Sequence, residues 1–420
     1  MALRDCNFRN YFFMQLVCAS GTFLQGTVLG WVVFDITHDA KTMGLVTSIG
    51  FVPMIVLGIF AGAIADRYDR RKLLVVTQVV AMILAGILAL LYQMHYLGII
   101  SIVIFSILNG VVGSFDNPTR ATFTTTLARK EDLSSAVGLN SSMMTLAQVI
   151  GPALAGFLYA LISPTWVFMV NALSFIPVII VLVWMELEPH QKNESSVELQ
   201  DEDSKKIHKS IWEMTKDGFV WIVNRKDFMC LFVLCVLIGF FVRSYGTILP
   251  VTNANLFHDD KHVLGQLTAA MGVGALVAAL FIPVMLGNFI GRVVIVFGAI
   301  ISTISLLGLG WCTSFPAVMV LLFLNGFGYI FMISSTSALL QGEISSDLRT
   351  RVVSILYSAA MLGMMGGSYT IGLVTNYYGP ARVSYGYGAI MLLVTIGIGV
   401  FLYYHKLFDY KVTKKKPAVA

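Results

Sequence analysis

Asp66, Arg67, Arg70 and Arg71 crowd into one short run, G-x-x-x-D-R-x-x-R-R from Gly62 to Arg71, between two long uncharged apolar stretches. Opposite charges this close do ion-pair chemistry. A carboxylate beside a guanidinium stays ionised, and its protonation or loss loosens the contact. Asp116 closes the fourth apolar stretch and is expected on the same surface as Asp66 and Arg70. Arg243 marks a second kind of chemistry, because it is the one Asp, Glu, Lys or Arg inside an apolar stretch. A guanidinium there favours an anionic ligand or an acidic counter-group, unless it snorkels to the interface. The nearest acid is Asp35, at the outer end of the first stretch; it is also the best-placed carboxylate to carry a proton, or it sits in the loop. Gln15, Cys18, Thr22 and Gln25 form a polar stripe on the first stretch. Ser106, Asn109, Gly113 and Asp116 share a helical face that either lines a cavity or packs as a polar seam. Asn325 is the second-half counterpart of Asn109. No nucleotide loop, metal-ligand set or nucleophile–base pair has a recognisable spacing, so an enzyme is the weakest reading and no cofactor is expected. His258 and His262 flank Asp259-Asp260, which reads as a metal site or, more simply, a solvated loop.

The elements that position these residues follow from composition. Apolar residues make up 57% of the chain and charged residues 12%, against about 25% charged in soluble domains. Lipid is the solvent that such a chain suits. Backbone groups in lipid must pair internally, so each long apolar run is expected to be a helix. Runs of about 20 residues occur at 11–34, 44–65, 73–92, 97–115, 136–162, 166–185, 228–251, 263–286, 293–313, 316–340, 352–375 and 384–404. The expected fold class is an all-α membrane protein of twelve transmembrane helices. The two tails and every second loop hold 24 of the 28 Lys and Arg. That bias places both termini in the cytoplasm. It also accounts for the net charge of +5 without invoking nucleic acid. The tail Lys414-Lys415-Lys416 suits anionic lipid head groups. No cleavable signal is read before the first span. The five cysteines include no C-x-x-C pair and read as small hydrophobes.

The chain divides into residues 1–185, a polar linker at 186–226, and residues 227–420. Ile207, Ile211, Met214, Gly218 and Trp221 recur at helical spacing late in the linker, which predicts an interfacial helix. The halves repeat: at an offset of 216 residues, Leu108-Asn109-Gly110 matches Leu324-Asn325-Gly326, and Gly151 and Gly156 match Gly367 and Gly372. Parallel six-helix repeats place a substrate site between them near the midplane.

The loop at 62–71 resembles the signature loop of the major facilitator superfamily, and the resemblance extends over nearly the whole chain. Ala147-x-x-x-Gly151-Pro152-x-x-Ala155-Gly156 is similar to that superfamily's antiporter motif. The runs 115–120 (FDNPTR), 131–133 (EDL) and 170–175 (VNALSF) resemble the exporter branch that includes macrolide-efflux and enterobactin-type siderophore exporters. The resemblance implies a gating charge relay of Asp66, Arg70 and Asp116 with Arg67 and Arg71 beside it. It also implies proton antiport of a small amphipathic compound by a monomer in a bacterial inner membrane. Two departures stand out: Asp69 occupies a position that is often glycine, and Gly287-x-x-x-Gly291-Arg292 in the second half lacks the acid. Ser106 replaces an arginine found in many drug–proton antiporters. Within transport, a dedicated siderophore exporter and a lipid or lysophospholipid flippase are alternatives; outside it, a non-transporting membrane sensor of the same fold.

Overall fold

The computed structural model describes residues 4–65, 68–128, 132–186, 219–288, 291–344 and 346–405. Asp66 and Arg67 lie outside them, as does most of the expected interfacial helix; of that stretch, 219–224 are described and are helical. Six helices form the first half: α1 (Cys6–Thr37), α2 (Ala40–Ala65), α3 (Arg70–Gln93), α4 (Ile99–Leu127), α5 (Leu133–Leu161) and α6 (Pro164–Trp184). The second half comprises α7 (Lys226–Phe241), a 3-10 turn (Arg243–Ile248), α8 (Leu249–Phe257), α9 (Lys261–Asn288), α10 (Gly291–Leu309), α11 (Phe315–Glu343), α12 (Ser346–Tyr378) and α13 (Pro380–Tyr404). Among the described residues, eleven helical spans are long and apolar enough to cross a bilayer, with α7 to α8 counted as one. The twelfth long helix, α12, is more polar and has Asp347, Arg349 and Arg351 in its first turns.

Short polar residues set the helix starts. The Asp5 carboxylate accepts from the Phe8 amide at 3.1 Å and caps α1. Asp69, the departure from the loop pattern, caps α3 by accepting from the Arg71 and Lys72 amides at 2.9 and 3.1 Å. Such caps satisfy amides that have no partner inside the helix. α1 ends at His38 in the left-handed region, φ 49°.

Two elements differ from expectation. α4 does not stop near Asp116 but continues to Leu127. The polar run after Asp116 stays helical because its threonines turn back on their own helix. Thr119 Oγ1 donates to the Phe115 carbonyl, Thr124 to Arg120 and Thr126 to Thr122. Phe123 and Leu127 are fully buried, so the segment also has a core-facing side. The seventh span is not continuous. It breaks at the 3-10 turn that begins at Arg243, where Ser244 bonds back to the Phe240 carbonyl. Pro250 sits in the first turn of α8, where its missing N–H costs nothing.

Contacts group the chain into two units. One takes α1 to α6 with Thr247–Gly272 and Ser368–Tyr377; the other takes residues 219–246, Val273–Gly367 and α13. In the first, Leu74, Phe123, Leu127, Phe175, Val178 and Leu182 are among the buried residues of the core. In the second, small residues bring helices close: a Cβ at Gly298 would meet the Met332 amide, and one at Gly328 the Ser302 amide. All five cysteines are free. Cys6 is exposed, Cys18 and Cys235 are buried, and Cys230 and Cys312 are half-buried.

Candidate functional site

At the start of α3, Arg71 binds the end of α6, donating to the Leu182 carbonyl and, at 2.7 Å, to the Val183 carbonyl. Those are carbonyls of the last helical turn, where a cation is favoured. Arg70 donates to Thr126 Oγ1 at 2.9 Å, near the end of α4. Asp116 is elsewhere. It lies eleven residues before the end of α4, about 16 Å at 1.5 Å per residue. Its Oδ1 accepts from Thr77 Oγ1 at 2.9 Å and Gln78 Nε2 at 2.7 Å, and its Oδ2 from Arg120 Nη1 at 3.1 Å. The expectation that Asp116 stands at the cytoplasmic end of its helix is therefore corrected, because α4 continues past it. Arg70 and Asp116 are not brought together. Arg120, four residues on, was the missed partner. Its signal was plain, since Asp and Arg at i and i+4 face each other on a helix.

A second charge cluster closes the start of the second half. Arg292, at the start of α10, is 1% exposed and reaches Asp227 at 2.7 Å and Glu343 at 3.0 Å. Arg225 meets the same two acids at 2.9 and 3.2 Å. Both guanidinium groups lie against the Phe228 ring, at 4.8 and 5.6 Å from its centre. The second half was expected to lack the acid for Arg292. The structure supplies two, from the start of α7 and the end of α11. Charges this deeply buried are tolerated only when paired.

The opposite ends of the helices in the first unit hold a third cluster. Asp35 Oδ2 accepts from Tyr159 Oη at 2.6 Å and faces Lys261 Nζ at 3.4 Å. The Lys261 ammonium also lies 5.1 Å from the centre of the Tyr159 ring, and Trp31 packs edge-on to that ring. Asp259 stands beside them. Burial first, and then the Asp35 carboxylate, push its carboxyl above the ordinary aspartate range. Asp35 was expected to be the counter-group of Arg243, and the structure pairs it with Lys261 and Tyr159 instead. Below this cluster, a Cβ at Gly156 would overlap the Gly265 carbonyl, and one at Gly265 the Gly156 carbonyl. A Cβ at Gly44 would overlap the Ser368 carbonyl in the same way. Gly151 sets α5 against Ser20 and Phe23 of α1, with Pro152 inside the helix beside it.

The remaining candidates separate. Arg243 lies half-buried with its guanidinium 5.6 Å from the centre of the Tyr329 ring; among the described residues it makes no ion pair. Gln25 is buried and accepts from Asn171 Nδ2 at 2.8 Å, which makes it a tie between α1 and α6. Asn325 is buried and donates to the Ser302 carbonyl at 3.4 Å. Asn109 is half-buried. Among the described residues, no group of three or more His, Cys, Asp or Glu is spaced for a metal ion.

Long apolar helices, sparse charges at helix ends and glycine crossings define an all-helical, multi-pass membrane protein. A solved nucleoside transporter, NupG, shares that fold over 97% of this chain and 100% of its own, with a TM-score of 0.70 and 12% identity. The chain belongs to the transmembrane secretion effector family, whose profile matches residues 1–416. It is similar to the staphyloferrin A transporter of Staphylococcus aureus, with 26% identity over 94% of this chain and 95% of that protein. It is also similar to macrolide efflux protein A of Streptococcus pyogenes, with 20% identity over 86% and 87% of the two chains.

Proposed function

We propose that this chain exports a small amphipathic compound across a bacterial inner membrane by proton antiport, with both termini cytoplasmic. The moving bodies are residues 1–185 and 227–420, joined by the linker at 186–226, and they give access to each face in turn. The observation that carries this reading is the glycine-on-glycine crossing of α5 and α9, capped by Asp35, Tyr159 and Lys261. Backbones that meet without interlocking side chains can separate and reseal. The cap adds a contact between a carboxylate and an ammonium that has to break before these helix ends can part. Asp66, Arg67, Arg70 and Arg71 serve as the gating charges at the cytoplasmic face. Gly151, Pro152 and Gly156 form the bendable seam.

The relatives named for staphyloferrin A and for macrolides support a substrate of that size and amphipathic character. Arg243 favours the acidic, siderophore-type member of that range, because a membrane-embedded guanidinium selects anions. The test is transport by purified protein in liposomes with an imposed pH gradient. Staphyloferrin A and erythromycin serve as the acidic and basic probes. Uptake driven by the gradient in the export direction is expected. Equal flux with and without the gradient would refute antiport, and no flux of either probe would refute the substrate range.

A further inference from the structure

We propose that Asp116 is the proton-carrying carboxylate of this transporter and that Arg120 is the counter-charge it exchanges for the proton. This rests on the antiport reading above. Asp116 and Arg120 are 8% and 7% exposed, inside the six-helix body formed by α1 to α6. Gln78, which binds Asp116, lies eight residues into α3, about 12 Å from that helix's start. An ionisable pair at this depth is costly unless it serves a purpose.

The hydrogen-bond count around Asp116 fits a group that takes up a proton in place. Thr77 Oγ1 lies 2.9 Å from Asp116 Oδ1 and 2.9 Å from the Leu74 carbonyl. A hydroxyl has one proton to give, so it cannot serve both acceptors at once. A proton added to Asp116 Oδ1 resolves the shortage. The carboxyl then donates to Thr77 Oγ1, and Thr77 donates to Leu74, with no heavy atom displaced. Arg120 has its second acceptor ready, since its Nη2 donates to Asn117 Oδ1 at 2.6 Å. It can release Asp116 Oδ2 without losing every partner.

The surroundings are polar on the side that faces α1. On α1, Gln15 Oε1 is buried and makes no hydrogen bond among the described residues, and the Tyr11 hydroxyl lies against Thr124 of α4. One turn further, Cys18 Sγ donates to Gln78 Oε1 at 3.2 Å, so this face of α1 leads to the Asp116 group. Tyr11 and Cys18 are within electrostatic reach of both Asp116 and Arg120. Of the other titratable groups on these helices, Cys6 and Arg9 open α1 and Asp35 lies near its far end, while Arg70, Arg71 and Lys72 open α3 two turns away. Tyr92, Lys41 and Tyr159 lie at the far ends of α3, α2 and α5, and α6 carries none.

Infrared difference spectroscopy of the full-length protein in lipid, titrated from neutral to acidic pH, tests the assignment. The wild type is expected to gain a protonated-carboxyl band that Asp116→Asn lacks and Asp35→Asn keeps. Arg120→Gln, which removes the counter-charge, is expected to raise the midpoint of that band by about one pH unit or more. A band that survives in Asp116→Asn, or is lost in Asp35→Asn alone, overturns the proposal. So does an unmoved midpoint in Arg120→Gln, which judges the proposal even if Asp116→Asn fails to fold. Liposome flux separates the two readings. No gradient-driven flux in the wild type refutes antiport, whereas intact flux without the Asp116 band refutes only this site.

Discussion

Replacing Arg292 with methionine removes one of two cations from a buried four-charge cluster and leaves a side chain of similar length. Asp227 and Glu343, each with 7% side-chain exposure, then share Arg225, which is 33% exposed and bonds them at 2.9 and 3.2 Å. Breaking a buried pair costs about 3–5 kcal/mol, because an uncompensated charge stays behind. Arg225 keeps partial compensation, so the low end, about 3 kcal/mol, is expected. At about 2–4 °C per kcal/mol for a body of this size, the melting temperature should fall by roughly 6–12 °C. Thermal unfolding of the purified protein in detergent measures this. The double variant Arg292→Met/Glu343→Gln removes the surplus negative charge and should recover more than half of the loss. A single-variant drop under about 2 °C, the equivalent of less than 1 kcal/mol, would refute the pairing. Additive losses in the double variant would do the same.

Gly156→Ala places a methyl group on the Gly265 carbonyl. Overpacking of about 1–3 kcal/mol should push α5 and α9 apart, raise hydrogen exchange at their ends near Asp35, and slow transport roughly tenfold. The Asp259 carboxyl is held above its ordinary range, so its protonated form suits the folded cluster. That contribution is complete in acid and is lost as pH rises through the raised value. Asp259→Asn should abolish the resulting pH dependence of local exchange, measured on the acid side of neutrality. Arg243→Ala should weaken the acidic probe by tenfold or more relative to the basic one; equal loss of both would favour a snorkelling arginine.

Fold class was legible because lipid solvation leaves a plain trace: long runs almost without charge, and Lys and Arg concentrated in the tails and alternate loops. The polar end of α4 was not legible, since five threonines within 119–126 read as loop chemistry until their hydroxyls find carbonyls one turn back. Asp116 was misplaced for the same reason. The break at Arg243 left only Ser244, Gly246 and Pro250 as signals, each weak alone. Arg292 seemed to lack an acid because its partners are 65 and 51 residues away in sequence. Asp35 was singled out from sequence, but Lys261 and Tyr159 could not be joined to it. Which helices touch at that end depends on glycine crossings, and the packing of small residues leaves no periodic trace. Asp69 was visible as a departure and turns out to be a helix cap.

The native thiols make this transporter its own sidedness reporter. Cys6 is exposed ahead of the first crossing, and Cys312 sits in the link between α10 and α11. With cytoplasmic termini these two sulfurs belong to opposite compartments, while Cys18 and Cys235 are shielded in the helical cores. A maleimide too polar to cross lipid, added to intact cells, should therefore mark Cys312 and spare Cys6, and inverted vesicles should reverse the pattern without any engineered residue.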